Sequence, residues 1–205
     1  MNELEESFTP TGIGSKAVGT QAAPHLALIG AGIAGLSCAT LLQEAGLEVS
    51  LFDKARGVGG RMSSRRGDGW QCDHGAQYFT ARQPEFRAEV ARWQRAGVAG
   101  QWQPRLWLFD GDAKAGREAT VERFVGTPAM TAPARHLART LRVQAPATIR
   151  QIRQQAPGWQ LLSTEHGWLE PHFAAVLLAV PAPQALTLLP QRDADDRAGP
   201  SRHGP

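Results

Sequence analysis

The chain has 205 residues, 42% of them hydrophobic and 20% charged, with 22 glycines, 14 prolines and a formal net charge of +3. That is long enough for one globular domain, alone or with an insertion, and too apolar to be disordered throughout. The longest apolar run, Phe173 to Pro183, is interrupted by Pro181 and falls short of the roughly 18 to 20 residues of a spanning helix, so a transmembrane protein is excluded. Cys38 and Cys72 are too few for a disulfide framework and match no metal-ligand spacing. No metal is expected, and a reducing, cytoplasmic compartment is. The basic residues are nearly all Arg and are scattered among Asp and Glu, with Lys only at 16, 54 and 114. With no basic stripe, neither nucleic acid nor membrane is expected as a partner.

Residues 1–24 are rich in Gly, Thr, Ser and Pro without apolar periodicity, which predicts a disordered leader and no secretory signal. Residues 191–205 predict a similar tail. Between them, the apolar run LALIG after His25 suits a strand buried on both faces. Ile33 to Ala45 has helical spacing and ends at Gly46, while Leu47 to Asp53 alternates as a strand does. Glu85 to Ala96 predicts an amphipathic helix with Phe86, Val90 and Trp93 on one face. Arg105 to Phe109 and Thr120 to Val125 predict a hairpin around the link DGDAKAG. Pro128 to Leu141 predicts a helix with Pro133 in its first turn. Trp159 to Thr164 and Trp168 to Ala174 predict a second hairpin around EHG, and Ala175 to Val180 a buried strand ended by PAP.

The informative motif is Gly30-Ala31-Gly32-Ile33-Ala34-Gly35, a G-x-G-x-x-G at a strand-to-helix junction. Gly30 permits a tight turn, Gly32 a close approach of backbone to pyrophosphate, and Gly35 close packing of helix on strand. Unpaired N–H groups and the positive end of the helix dipole then face the phosphates. Asp53, at the end of the second strand, is placed to accept hydrogen bonds from ribose hydroxyls. The next segment, KARGVGGRMSSRR, adds a second glycine turn, Gly59-Gly60, followed by Arg61, whose guanidinium suits phosphate. A nicotinamide-binding domain needs nothing of this kind. Two glycine turns converging on one ligand predict a long, doubly phosphorylated molecule.

The order DK, then GGRMSSR, then DHGAQYFTAR at Asp73 to Arg82, resembles the renalase-like branch of the FAD-dependent amine oxidase superfamily, especially its bacterial members. The similarity continues through RFVGTPAM at Arg123 to Met130 and through LLAVPAPQA, covering Leu26 to Leu189. The resemblance implies FAD as cofactor: Gly30, Gly32, Ala34 and Gly35 at its pyrophosphate, Asp53 at the adenosine ribose, Lys54 and Arg61 at the phosphate and ribityl region. It places Gly59 and Gly60 beside them, and Gly75, Ala76 and Gln77 along the flavin ring. The implied fold is α/β, a doubly wound FAD/NAD(P)-binding Rossmann-like domain with an inserted, incomplete antiparallel substrate-cap sheet. Residues 25–85 and 128–190 would form the FAD domain, and 86–127 the start of the cap. In such enzymes a small substrate gives a hydride to the flavin and dioxygen reoxidises it to yield hydrogen peroxide. The renalase-like branch implies an isomeric dihydronicotinamide dinucleotide as substrate; oxidation of a small amine is the alternative, and a non-catalytic dinucleotide-binding remnant another.

No nucleophile, triad or catalytic base competes with this reading, since hydride transfer from a dihydropyridine requires no base. Asp73 and His74 are expected in structural hydrogen bonds, and Cys72 as a small buried residue. Tyr78, Trp93, Trp102 and Trp107 are expected in packing, and Arg65 and Arg66 in solvent. Family members are longer and close the FAD domain with a further strand, a Gly-Asp turn and a helix aimed at the flavin. Nothing after Leu189 matches that closure, so the resemblance implies a C-terminally truncated chain with weak turnover and poor solubility.

Overall fold

The computed structural model describes residues 23–111, 113–117, 121–170 and 172–189. Most of the expected leader and all of the expected tail lie outside them. Strand β1 (His25–Ile29), helix α1 (Ile33–Glu44) and strand β2 (Glu48–Phe52) follow the sequence reading closely. β1 and β2 pair in parallel from His25–Glu48 to Ile29–Phe52, as two strands joined through a helix must. α1 stops where Gly46 adopts a φ of +82° and donates its N–H to the Gln43 carbonyl at 2.9 Å, a left-handed position that a Cβ would strain.

The chain continues through an exposed hairpin of β3 (Arg65–Gly67) and β4 (Trp70–Cys72), so Cys72 is exposed, not buried as expected. Cross-strand pairing places it on a two-stranded ribbon that is exposed throughout among the described residues. Helix α2 (Pro84–Arg95) buries Val90 and Trp93. Trp93 stands edge-on to Phe79 and Phe86 at 5.9 and 5.8 Å between ring centres, a geometry that aromatic pairs favour. Trp102 and Trp107, by contrast, are exposed. Strands β5 (Ala99–Trp102), β6 (Leu106–Asp110), β7 (Ala113–Arg117) and β8 (Arg123–Gly126) complete this region. Then come α3 (Ala132–Leu137) with a 3-10 turn over Ala138–Thr140, β9 (Arg142–Gln144), β10 (Ile149–Gln155), β11 (Gly158–Ser163), β12 (Gly167–Trp168), β13 (Ala175–Leu178) and α4 (Ala182–Leu186).

The central sheet has the order β13-β1-β2-β9, with every pair parallel. The connections leave β1 in opposite directions, to β2 and β9 on one side and to β13 on the other. This is a doubly wound order whose switch point lies at β1. Side chains alternate between two cores. Leu26, Leu28, Val49 and Leu51 pack under Leu36 and Ala39 of α1 and Ala134 of α3. Ala27, Ile29 and Phe52 face the antiparallel sheet β10-β11-β12, meeting Ile149, Ile152, Leu161 and Phe173. Burial on both faces is why β1 reads as an unbroken apolar run.

Four further expectations need correction. The hairpin between Arg105–Phe109 and Thr120–Val125 does not form: β6 turns at Gly111, φ +57°, directly into β7, and β8 pairs antiparallel with β5. The shorter loop closes at lower entropic cost and turns most of the supposed link into strand; Thr120 itself lies outside the described residues. The helix expected from Pro128 begins only at Ala132. The preceding turn is held elsewhere, the Met130 N–H donating to Oδ1 of Asp73 at 3.2 Å. The strand expected over Trp168 to Ala174 shrinks to Gly167–Trp168 and a single bridge between Phe173 and Trp159. β13 is half-buried, because only β1 flanks it among the described residues.

Candidate functional site

The carboxyl ends of β1, β2 and β13 surround a cavity of about 610 Å³, the position at which open parallel sheets bind ligands. Ile29 and Gly30 continue β1 into its wall, Phe52 and Asp53 continue β2, and Ala179 and Val180 follow β13. The two glycine turns meet there. The Gly59 N–H donates to the Ala31 carbonyl at 2.9 Å, and Gly32 and Gly59 form a parallel bridge. A Cβ on Gly60 would stand 3.2 Å from the Cα of Gly32, so the turns touch backbone to backbone and both line the cavity.

The three glycines of the first turn answer different needs. Gly30, at φ +108°, donates its N–H to the Phe52 carbonyl at 2.8 Å, and a Cβ on it would lie 2.6 Å from the Ala179 oxygen. A Cβ on Gly35 would be driven into the Gly30 carbonyl and to 2.9 Å from Cδ2 of Leu28. Both are demanded by the protein's own packing. Gly32 is not: its φ is −73°, and a Cβ there would find only the Cα of Gly60, at 3.9 Å. The protein's own packing therefore does not demand bare backbone at Gly32, which lines the cavity. Gly32 is also the N-cap of α1, with no side-chain cap and no acidic residue in the first turn. The first N–H groups of the helix and the positive end of its dipole stand at a wall formed by Gly32, Ile33 and Ala34. Exposed Lys54 and Arg61 add positive charge to the lining. This arrangement fits a diphosphate.

Asp53 is a hub. Its Oδ2 accepts the Ala31 N–H at 2.6 Å and its Oδ1 the Ala55 N–H at 2.8 Å. Its own N–H donates to the Gln144 carbonyl at 3.1 Å, and its carbonyl accepts the Ala147 N–H at 2.7 Å. Each carboxylate oxygen keeps a lone pair for a hydroxyl from the cavity side.

Gly30, Gly32, Ala34 and Asp53 thus line one space with Lys54, Gly59, Gly60 and Arg61. Gly35, Gly75, Ala76 and Gln77 do not line it. The Ala76 N–H donates to the Arg61 carbonyl at 2.8 Å, and a Cβ on Gly75 would collide with that same carbonyl. Gly75 and Ala76 thus buttress the Arg61 turn, and Gln77 is exposed. Asp73 and His74 work on the same segment, Asp73 accepting from the Ser64 hydroxyl and His74 lying 3.1 Å from the Ser63 hydroxyl. Tyr78 is exposed, with its ring 5.8 Å from Trp102 and the Arg123 guanidinium 5.2 Å above it.

Sequence reasoning missed Met62, Ser63, Thr148, Ile149, Gln184 and Leu188 as lining residues. Met62, Ser63 and Gln184 sit inside the segments GGRMSSR and LLAVPAPQA, where the glycines and Arg61 drew the attention. Thr148, Ile149 and Leu188 bear no motif, and only the strand order could have pointed to them.

Residues 28–93 match the model of an NAD(P)-binding Rossmann-like domain. Over 65 residues the chain is 38% identical to an L-amino-acid oxidase from Siganus canaliculatus, an overlap of 31% of this chain and 12% of that one. Over 112 residues it is 38% identical to a hydroxyneurosporene desaturase from Rubrivivax gelatinosus, with 48% and 21% covered. A putrescine oxidase solved with putrescine bound superposes with a TM-score of 0.64 at 14% identity, over 82% of this chain and 60% of that one. The chain therefore spans less than two thirds of each of these proteins. The fold is the mixed α/β fold of FAD-dependent oxidases. The similarity reaches the FAD/NAD(P)-binding, amine-oxidase-like superfamily in breadth.

Proposed function

We propose that this chain holds the FAD-binding part of an oxidoreductase of the amine-oxidase-like superfamily, and that the cavity at the strand ends receives the cofactor's adenosine diphosphate. The observation that supports this most is Gly32, a cavity-lining residue bare of side chain where the fold's own packing would accept a Cβ. The N-terminus of α1 would bind the diphosphate, the free lone pairs of Asp53 the ribose, and Lys54 and Arg61 the remaining phosphate charge. Gly75, Ala76 and Gln77 keep their proposed place near the flavin ring, Gly75 and Ala76 by way of the Arg61 turn they support. When bound, FAD would supply hydride acceptance from a small substrate, with electrons passed on to dioxygen to give hydrogen peroxide.

The motifs GGRMSSR and DHGAQYFTAR favour an isomeric dihydronicotinamide dinucleotide as that substrate. Oxidation of a small amine is the second reading, favoured by the L-amino-acid oxidase and putrescine oxidase similarities. A cytoplasmic setting is part of the proposal; among the described residues no helix is long and apolar enough to cross a membrane. The test is to purify the chain, measure retained flavin absorbance, and follow peroxide release with each substrate class. Retained flavin with peroxide only from the dihydronicotinamide supports the first reading, and peroxide only from amines the second. A chain that holds flavin without turnover would be a binding remnant, and one that takes up no flavin at all would refute the cofactor assignment.

A further inference from the structure

The wall of the cavity beyond Asp53 is formed by Ala147 and Thr148, in the link that leads from β9 into β10, and by Ile149 at the start of β10. Its polar groups are held from outside the cavity, by the turn between β11 and β12. The Thr148 N–H donates to Oε2 of Glu165 at 2.6 Å and the Thr148 hydroxyl to Oε1 at 2.7 Å. The Thr148 carbonyl accepts the Thr164 N–H at 2.9 Å, and Nε2 of His166 lies 3.0 Å from the Pro146 carbonyl. One carboxylate thus takes both donors of Thr148. It also accepts the Ser163 hydroxyl at 2.9 Å, which leaves Glu165 little freedom to turn away.

We infer that Glu165, which does not itself line the cavity, is a positioning residue for the nucleoside end of the cofactor and acts through Thr148. With its N–H and its hydroxyl proton both committed outward, Thr148 presents only acceptor lone pairs and a methyl group to the cavity. The same bonds fix where that surface stands, because the adjacent Ala147 N–H is tied to the Asp53 carbonyl and Asp53 in turn to Ala31. A hydrogen-bonded path therefore runs from Glu165 through Thr148, Ala147 and Asp53 to the first glycine turn. The Thr148 bonds, the hydroxyl's foremost, also hold the Glu165 carboxyl well below the usual carboxylate range, at about 2. It remains a pure acceptor at any pH at which the chain would be handled. This inference rests on the reading of the cavity as the FAD site.

The test compares wild type with Glu165→Gln, whose amide would turn a donor toward a donor. Two quantities are read: amide exchange at Ala147 and Thr148 in the flavin-free chain, and the FAD dissociation constant from quenching of flavin fluorescence. Exchange should quicken at both residues. The dissociation constant should rise roughly tenfold, the scale of one lost charge-assisted hydrogen bond. Adding Thr148→Val to Glu165→Gln should cause no further loss. Faster exchange with an unchanged dissociation constant would make Glu165 merely structural and overturn the inference, as would unchanged exchange or fully additive losses. If Glu165→Gln does not fold, Thr148→Val alone decides: weaker FAD binding supports the inference and unchanged binding overturns it. A wild-type chain that takes up no FAD sinks the cofactor reading and this inference together, whereas a flavin-loaded wild type indifferent to Glu165 sinks only this one.

Discussion

The backbone N–H of Ala31 donates to Oδ2 of Asp53 across 2.6 Å, so the first glycine turn is latched to the end of β2 by protein atoms alone. The carboxylate proposed for a ribose hydroxyl thus has a second task, to hold the turn proposed to approach the diphosphate. The two tasks use different lone pairs and can coexist.

Asp53→Asn should disable both. An amide offers one oxygen where two backbone N–H groups, those of Ala31 and Ala55, need acceptors. One donor would then face an NH₂ group, with a cost of about 1–3 kcal/mol. Urea unfolding should register that loss in the flavin-free chain, and flavin retention should fall as well. Unchanged stability with lost flavin would mean that the latch contributes nothing to the fold.

The glycines of the first turn should separate by role. Gly35→Ala forces a methyl into the Gly30 carbonyl and against Leu28, and overpacking of this kind costs about 1–3 kcal/mol or more. Gly32→Ala adds a Cβ that meets no such obstacle in the protein, so its melting temperature should stay near that of wild type while flavin retention falls. Thermal melts beside absorbance spectra of both variants check this pair; a large drop in stability in Gly32→Ala would contradict it.

Arg61→Ala removes an exposed side chain while leaving the backbone carbonyl that receives the Ala76 N–H. Flavin retention should weaken by roughly tenfold, as for one charge-assisted contact to phosphate. Stability without flavin should shift by no more than about 0.5 kcal/mol, as at most surface positions. Equal flavin content in variant and wild type would remove Arg61 from the site.

Glu165 sets an acid limit. Its carboxyl titrates at about 2 in the folded chain against an ordinary 4.5. A depressed carboxyl stabilises the fold fully above its unfolded value, and that contribution is lost as pH falls through the window from 4.5 to 2. The stability difference between wild type and Glu165→Gln should therefore be constant near neutrality and shrink across that window. Denaturant midpoints measured at a series of pH values check it, and a difference that grows on acidification would reverse the assignment.

The first βαβ unit was legible because its physics is local: two apolar runs, a helix between them and glycines where a Cβ cannot fit. β10 was not. Its apolar residues, Ile149 and Ile152, sit three apart because the register with β11 shifts between Ile149 and Gln151, and that irregularity erases the two-residue alternation by which a strand is recognised. β9 offers only Val143 between Arg142 and Gln144, too little for any periodicity. The site followed the same division. Residues on the glycine turns were visible as motif, while Thr148 became visible only once the strand order brought it beside Asp53. Gly75 and Ala76 entered as cofactor contacts through the resemblance of DHGAQYFTAR; what the fold adds is that a Cβ on Gly75 would collide with the Arg61 carbonyl and that the Ala76 N–H donates to it.

The pairing of Leu26 with Ala175 bears on how the chain is made. β1 emerges from the ribosome early, but the strand that shields its far side is among the last described elements to be synthesised. At about 5–20 residues per second the delay is on the order of 10 s, during which that flank of β1 stands bare beside a finished helix. A nascent chain in that condition is suited to capture by a chaperone, and a slow codon run just upstream of Ala175 would prolong its vulnerability to aggregation.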